Sequence, residues 1–190
     1  MTVNCETIDS WRFINSFAPW FSAAGTITAV IVSLYLARSR EKIKLVVRAG
    51  ERLMLFRDGT PIEKAPRYLY ISIINIGSRE VIVNNIGWKI GLFSKKYAVQ
   101  PVEDRTYSSA LPIKLKDGDE AKYFILLSEP SNWLDEFAKD FILDHGAYMV
   151  NRVWVQVFTS VGTIFETKLE KNMRDKLTEK YNELKTKQTS

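Results

Sequence analysis

The chain has 190 residues, 46% of them hydrophobic and 26% charged, with a formal net charge of +5. That leaves room for one domain with accessory elements and excludes the disordered and low-complexity classes. A single cysteine, Cys5, excludes an intramolecular disulfide, and a single histidine, His145, excludes His-rich metal centres.

The first element is the apolar run around residues 17–37. From Phe13 to Ala37 there are 25 consecutive uncharged residues, about 37 Å as a helix against about 30 Å of hydrocarbon. A soluble core helix would carry a charged face, and none is present. Pro19 sits near the start of the run, where a missing backbone N–H costs least. Trp20 and Tyr35 lie towards its two ends, where amphipathic rings favour the membrane interface. A signal peptide would have positive charge ahead of a shorter apolar stretch and a small-x-small cleavage site. Here the preceding tail holds Glu6, Asp9 and Arg12, and Tyr35 stands two before Ala37. Residues 17–37 therefore read as a single transmembrane helix behind a short N-terminal tail, residues 1–16.

The flanks set the orientation. Arg38, Arg40, Lys42, Lys44, Arg48 and Arg52 follow the helix, whereas only Arg12 precedes it. Basic residues resist translocation, so the N-terminus is expected outside and the larger C-terminal part in the cytoplasm. The membrane-proximal cations Arg38, Arg40, Lys42 and Lys44 also suit anionic lipid as a partner. Within the helix Gly25, Ala29, Ser33 and Ala37 recur every four residues. This stripe of small side chains would let a second helix approach, as in a homodimer, although small residues are common in membrane helices anyway. Cys5 reads either as a thiol that would trap such a dimer or as a free thiol on a frayed tail.

Residues 38–168 read as a β-domain. "IKLVVRAGERLMLF" is an extended run, and Asp58-Gly59 supplies turn chemistry after it. In "RYLYISIINIG", Leu69, Ile71 and Ile73 share one face. Gly77-Ser78 breaks the chain before Val81 and Val83, and Asn84-Asn85 predicts a bulge ahead of Ile86, Trp88 and Ile90. "LPIKLKDGDEAKYFILL" reads as a hairpin around Asp117-Gly118. A helix over about 131–143 follows, with Ser128 or Ser131 as its cap and Gly146 as its stop. Trp133, Leu134, Phe137, Ala138, Phe141 and Ile142 form its apolar side. "RVWVQVFTSVGTIFETKLE" predicts a hairpin around Val161-Gly162, whose first strand is apolar on both faces and so covered on both, one cover being the 131–143 helix. From Leu169 to residue 190 the chain reads as an amphipathic helix, with Leu169, Met173, Leu177, Tyr181 and Leu184 on a narrow stripe. Seven or eight short strands punctuated by turns predict an antiparallel sandwich, not a parallel sheet.

Two features carry a resemblance. An Asn-x-Gly that ends a strand (Asn75, Gly77) and a later Leu-x-x-Gly turn (Leu115, Gly118) resemble those of Ig-like β-sandwich domains of bacterial proteins. With "WFSAAGTITAVIVSLYLARSRE" ahead of them, residues 17–127 are similar in order to small, largely uncharacterised bacterial membrane-anchored proteins. The resemblance implies a mainly β fold: one transmembrane helix, then an Ig-like antiparallel β-sandwich with an inserted helix and a C-terminal amphipathic helix. It carries no catalytic residue.

The chemistry of the side chains points the same way. There is no P-loop, and nothing nominates a serine to partner His145, whose place beside Gly146 suits a helix C-terminus. The carboxylates in "DGDE" at 117–120 are explained by a turn. Tyr68, Tyr70, Trp88, Tyr97 and Tyr107 beside Lys89, Lys95 and Lys96 would suit single-stranded nucleic acid, but such residues usually pack cores and edges in a sandwich, so nucleic acid is not the expected partner. No cofactor or metal is expected. The reading is a non-enzymatic, single-pass bacterial inner-membrane protein whose cytoplasmic β-sandwich binds a protein partner through a surface near Trp88 and Tyr97. Prophage-type superinfection exclusion or phage resistance is a role of that shape. The alternative is an envelope-facing ligand- or protein-binding module with the β-domain outside. A third class, an enzyme working with carboxylates alone, would need two of Asp117, Asp119, Glu120 and Asp144 in one pocket with raised pKa values.

The membrane reading predicts that the expressed chain stays in the pellet when membranes are washed at alkaline pH. Recovery in the aqueous fraction would refute it.

Overall fold

The computed structural model describes residues 5–40, 42–55, 61–91, 95–102, 106–128, 130–143 and 146–189. The chain divides into two compact units, Met1–Lys42 and Ile43–Ser190.

The described residues of the first unit form one helix, α1, Cys5–Arg40. Its Pro19–Arg38 stretch is long and apolar enough to cross a membrane, and its side chains are not buried against protein. Thr26 and Thr28 donate their hydroxyls to the carbonyls of Ser22 and Ala24 at 2.9 and 2.8 Å, so neither needs water as a partner. The expected short tail is corrected in part. The helix begins at Cys5, so most of residues 1–16 is helical and Pro19 lies inside the helix instead of near its start. No glycine or proline interrupts residues 5–18, and the cost of Pro19 is confined to one lost bond to the Asn15 carbonyl and local crowding.

The second unit is mainly β, with two antiparallel sheets. The strands are β1 Leu45–Leu53, β2 Arg67–Asn75, β3 Val81–Ile90, β4 Lys96–Val99, β5 Ile113–Leu115, β6 Glu120–Leu126, β7 Val153–Thr159 and β8 Ile164–Lys168. One sheet runs β1-β2-β6. The other runs β4-β3-β7-β8, with β5 paired to the first residues of β3. Period-two alternation supplies the core. Leu69, Ile71 and Ile73 of β2 and Val153, Val155 and Val157 of β7 are fully buried, and they belong to one apolar cluster drawn from both sheets. The β3 register shifts between Val83 and Asn85, which is the bulge expected at Asn84-Asn85, and Ile86, Trp88 and Ile90 then face the core.

The expected hairpin at Asp117-Gly118 is not a hairpin. β5 pairs with β3 and β6 pairs with β2, so the turn carries the chain from one sheet to the other. The β2–β3 turn does the same. Asn75, fully buried, ties the two crossings together. Its Nδ2 donates to the carbonyls of Arg79 (2.8 Å) and Leu115 (3.1 Å), and its Oδ1 accepts from the Gly77 N–H (3.0 Å). Its backbone N–H donates to the Asp119 carbonyl (3.0 Å), and its carbonyl accepts from the Gly118 N–H (2.8 Å). Gly118 has φ +80°, a conformation that other residues rarely adopt. A β7–β8 hairpin does form, around Gly162 at φ +78°.

The helical segment is α2, Trp133–Phe137, continued by a π turn, Ala138–Ile142. Ser131 Oγ accepts from the Trp133 N–H at 3.2 Å, and the Gly146 N–H donates to the Ile142 carbonyl at 3.1 Å. The segment does not cover the outer face of β7. That face carries Trp154, with the ammonium groups of Lys89 and Lys168 at 5.9 and 5.1 Å from its ring centroid, and Gln156, which donates to Glu166 at 2.8 Å. Instead Phe137 packs edge-on against Trp88, 5.0 Å between centroids, so the segment joins the core through the inward side of β3.

α3, Lys171–Thr189, presents Leu169 just before it and Met173, Leu177 and Tyr181 to the core as its stripe predicts, while Leu184, the last of the stripe, is only half-buried. The start of α3 bonds to the outer edge of β1 at Ala49 and Glu51. The Glu170 N–H donates to the Ala49 carbonyl (2.8 Å), Asn172 Nδ2 donates to the Glu51 carbonyl (2.9 Å), and Asn172 Oδ1 accepts from the Glu51 N–H (3.3 Å). Arg52 grips Glu170 in a two-pronged pair at 2.8 and 2.9 Å. Glu51 accepts from Lys176 (2.5 Å) and Arg67 (3.1 Å). Burial alone would raise the Glu51 pKa, but the hydrogen bonds from Lys176 and Arg67 outweigh it and hold the carboxyl below its ordinary range.

Two outcomes follow. Asn75→Ala leaves one N–H and two carbonyls without partners and should cost about 3 kcal/mol in urea unfolding of the chain in nanodiscs. For pH, a free glutamate titrates at about 4.3, and folded Glu51 titrates lower. Both states are ionised at neutral pH, where its stabilisation is fully present. As pH falls the unfolded chain takes up the proton first, so stability declines through the folded pKa. Glu51→Gln should therefore flatten the acid limb of a stability–pH profile, and an unchanged slope would contradict the assignment.

Candidate functional site

A sandwich has two lateral openings, where the edges of its sheets lie side by side. On one side β1 runs beside β8, and α3 is bonded along β1. The other side is bounded by β6 and β4. Residues 108–109 pair with β6 there: the Ser109 N–H donates to the Lys122 carbonyl (2.8 Å), and Ser108 Oγ accepts from the Phe124 N–H (2.9 Å). β4 has no such cover among the described residues. Its Ala98 and Lys96 lie opposite Trp88 and Ile90, and the Gln100 N–H donates to the Ile86 carbonyl at 2.8 Å. By the alternation of an antiparallel ladder, the N–H and C=O groups of Tyr97 and Val99 point away from β3. Their side chains are 60% and 61% exposed.

Beside this open edge lies a groove of about 670 Å³ between the end of β4, the end of β6 and the α2 segment. Trp133, Phe137 and Phe141, spaced four apart, stack along the helical wall at 4.8 and 5.1 Å. Val99 and Pro101 line the strand side. Buried Gln100 joins the two walls. Its Oε1 accepts from the indole N–H of Trp88 (2.8 Å) and of Trp133 (3.1 Å), and its Nε2 donates to the Pro101 carbonyl (2.9 Å). A second hollow of about 610 Å³, lined by Ser108, Ser109 and Leu111, lies along the same stretch from Val99 to Pro101.

The residues named from sequence fall in different places. Trp88 is corrected as a partner surface: it is 2% exposed, since the bulge in β3 turns it inward, and only part of it reaches the floor of the groove. Tyr97 is exposed on β4. Gly25, Ala29, Ser33 and Ala37 all lie exposed on α1, and nothing stands within 4 Å of where a Gly25 Cβ would be. Arg38, Lys42 and Lys44 are exposed, and Arg40 and Cys5 are described through their backbone only. Asp58-Gly59, Asp144 and His145 lie outside the described residues. The aromatics do not assemble into one platform. Tyr68, Tyr70 and Tyr107 gather around Phe124 on the outer face of the first sheet, whereas Trp88 is buried and Tyr97 sits on the edge of the second.

Glu120, one of the four carboxylates that an enzyme reading would use, is held as an anion. Ser72 Oγ (2.6 Å), Tyr70 OH (3.0 Å) and Lys122 Nζ (3.2 Å) all donate to it, and the Ser72 bond foremost lowers its pKa. Asp119 Oδ2 accepts from the Lys116 N–H at 2.8 Å, a turn bond. Among the described residues no group of three or more His, Cys, Asp or Glu side chains is placed to hold a metal. Sequence reasoning missed Gln100, Glu136 and Asp140. The four-residue spacing of Trp133, Phe137 and Phe141 was the available signal; Gln100 offered none, because its indole partners lie 12 and 33 residues away.

No family model matches the chain, and no curated protein matches it. Among solved structures, one assigned to ApaA of Bordetella pertussis aligns over 67% of this chain and 89% of its own, with 13% identity and a TM-score of 0.30. A likeness of that size carries no functional weight.

Gln100→Leu keeps the volume but strands both indole N–H groups. It should lower stability by about 1–3 kcal/mol and red-shift tryptophan emission as Trp133 loosens. Unchanged emission and stability would show that Gln100 does not hold the wall.

Proposed function

We propose that this chain is a non-enzymatic, single-pass inner-membrane protein whose cytoplasmic domain captures an extended segment of a protein partner along β4. The observation that carries the reading is the asymmetry of the two lateral edges. β1 is bonded at Ala49 and Glu51 by the start of α3, and β6 is bonded by residues 108–109, while β4 offers outward backbone groups, two exposed side chains and an aromatic groove beside them. An edge strand with one open side next to a side-chain pocket is the arrangement that strand addition uses: backbone bonds supply affinity, and the pocket supplies selectivity.

We read the β-domain as an Ig-like sandwich. In immunoglobulin lettering β1, β2 and β6 stand where A, B and E would, and β4, β3, β7 and β8 where C′, C, F and G would. The cations that follow α1 support the cytoplasmic orientation, and the apolar Pro19–Arg38 stretch supports the tether. A tethered capture module of this kind would suit exclusion of superinfecting phage, because it concentrates a blocking domain at the bilayer. The small-residue stripe of α1 offers a route to a homodimer within the membrane.

Fusing a cytoplasm-only fluorescent reporter and a periplasm-only phosphatase to the C-terminus tests the orientation; phosphatase activity would move the domain outside. A photoreactive amino acid at position 97 should form crosslinks to protein in cells, and one at exposed position 148 should form far fewer. Equal yields would refute capture at β4.

A further inference from the structure

Resting on the β4 reading, we infer that the groove selects a partner segment in which an apolar side chain is flanked by lysine or arginine. The chain as a whole is basic, with 27 Lys and Arg against 22 Asp and Glu. The groove departs from that balance. Among the described residues the only ionisable side chains lining it are Glu136 and Asp140, both exposed. Their neighbour Asp135 is paired with Lys180 at 2.7 Å, but no cation pairs with Glu136 or Asp140 among the described residues.

The spacing adds to the charge. Glu136 and Asp140 stand four apart, as do Trp133, Phe137 and Phe141, so carboxylates and aromatic rings alternate along one wall. An extended segment bonded to Val99 projects alternate side chains towards the groove. An apolar side chain directed there meets Trp133 and Phe137, and cationic side chains two positions to either side of it, on the same face, meet the carboxylates at the rim, where an acidic segment would be repelled. Lipid is a poorer occupant, since the carboxylates of Glu136 and Asp140 repel anionic headgroups. A second copy of this chain is kept out of the test by holding one copy per nanodisc.

The test uses the full chain, one copy per nanodisc, in neutral phosphatidylcholine. The probes are three fluorescein-labelled nonapeptides with leucine at position 5 and valine at positions 2, 4, 6 and 8, in which positions 1, 3, 7 and 9, on the face of the leucine, are all lysine, all threonine or all glutamate. Fluorescence anisotropy should show the lysine peptide binding at least tenfold tighter than the glutamate peptide. Glu136→Gln with Asp140→Asn should abolish most of that preference, and Asp135→Asn should leave it intact. Val99→Pro removes one outward N–H without touching the β3 ladder and should weaken all three peptides alike. Equal binding of the three peptides that Val99→Pro abolishes would overturn the charge selection and leave the β4 reading standing. A lysine preference that survives Val99→Pro but falls with the carboxylate pair would overturn strand addition and keep the groove. No binding of any peptide by folded protein would overturn both.

Discussion

The buried amide of Asn75 is the interaction on which the domain turns. A sandwich must pass its chain between sheets, and each passage leaves backbone groups with no ladder to join. Here two passages, at residues 76–80 and 116–119, lie side by side, and Asn75 bonds to both with its side chain and its backbone. The amide suits this place because it carries both donors and an acceptor, and burial makes every unmet group costly. With these two passages joined, β2 and β6 are held in one sheet while β3 and β5 are held in the other, and the inward residues of both meet in a single core.

The same core forces an asymmetry at the sides. α3 turns its stripe of Leu169, Met173, Leu177 and Tyr181 into the core, packing beside β1 and the helical segments at 133–142 and 147–152, and its start bonds the outer edge of β1 at Ala49 and Glu51. Nothing equivalent seals β4 among the described residues. The α2 segment instead stands at one end of the β4–β6 side, fastened by Gln100, and leaves a walled groove beside the outer edge of β4. The structural device and the candidate binding site are thus one arrangement: the bond from Gln100 to two indoles is what keeps the wall beside the strand.

Much of the fold was legible along the chain because the signals are local. Alternation located β2 and β7, Asn84-Asn85 located a bulge, Gly146 and Gly162 located a helix stop and a turn, and the spacing of Leu169 to Tyr181 located the packed face of α3. The failures share one cause. Asp117-Gly118 reads as a hairpin turn whether the strands around it pair with each other or with others. Trp88 reads as exposed or buried according to which side of the bulge it falls on. Pro19 reads as a start signal unless the helix ahead of it is known to continue.

The sequence by itself determined that the chain begins with an apolar helix able to span a bilayer, is basic after it, and continues as strands with one inserted and one terminal helix. These properties depend on hydropathy, charge and periodicity over a few neighbouring residues. Only the tertiary structure decided which strands share a sheet, that Trp88 is inside and Tyr97 outside, and that Gln100, Glu136, Asp140 and Val99 border one groove. Those facts depend on groups separated by tens of residues, whose meeting is set by how the whole core closes.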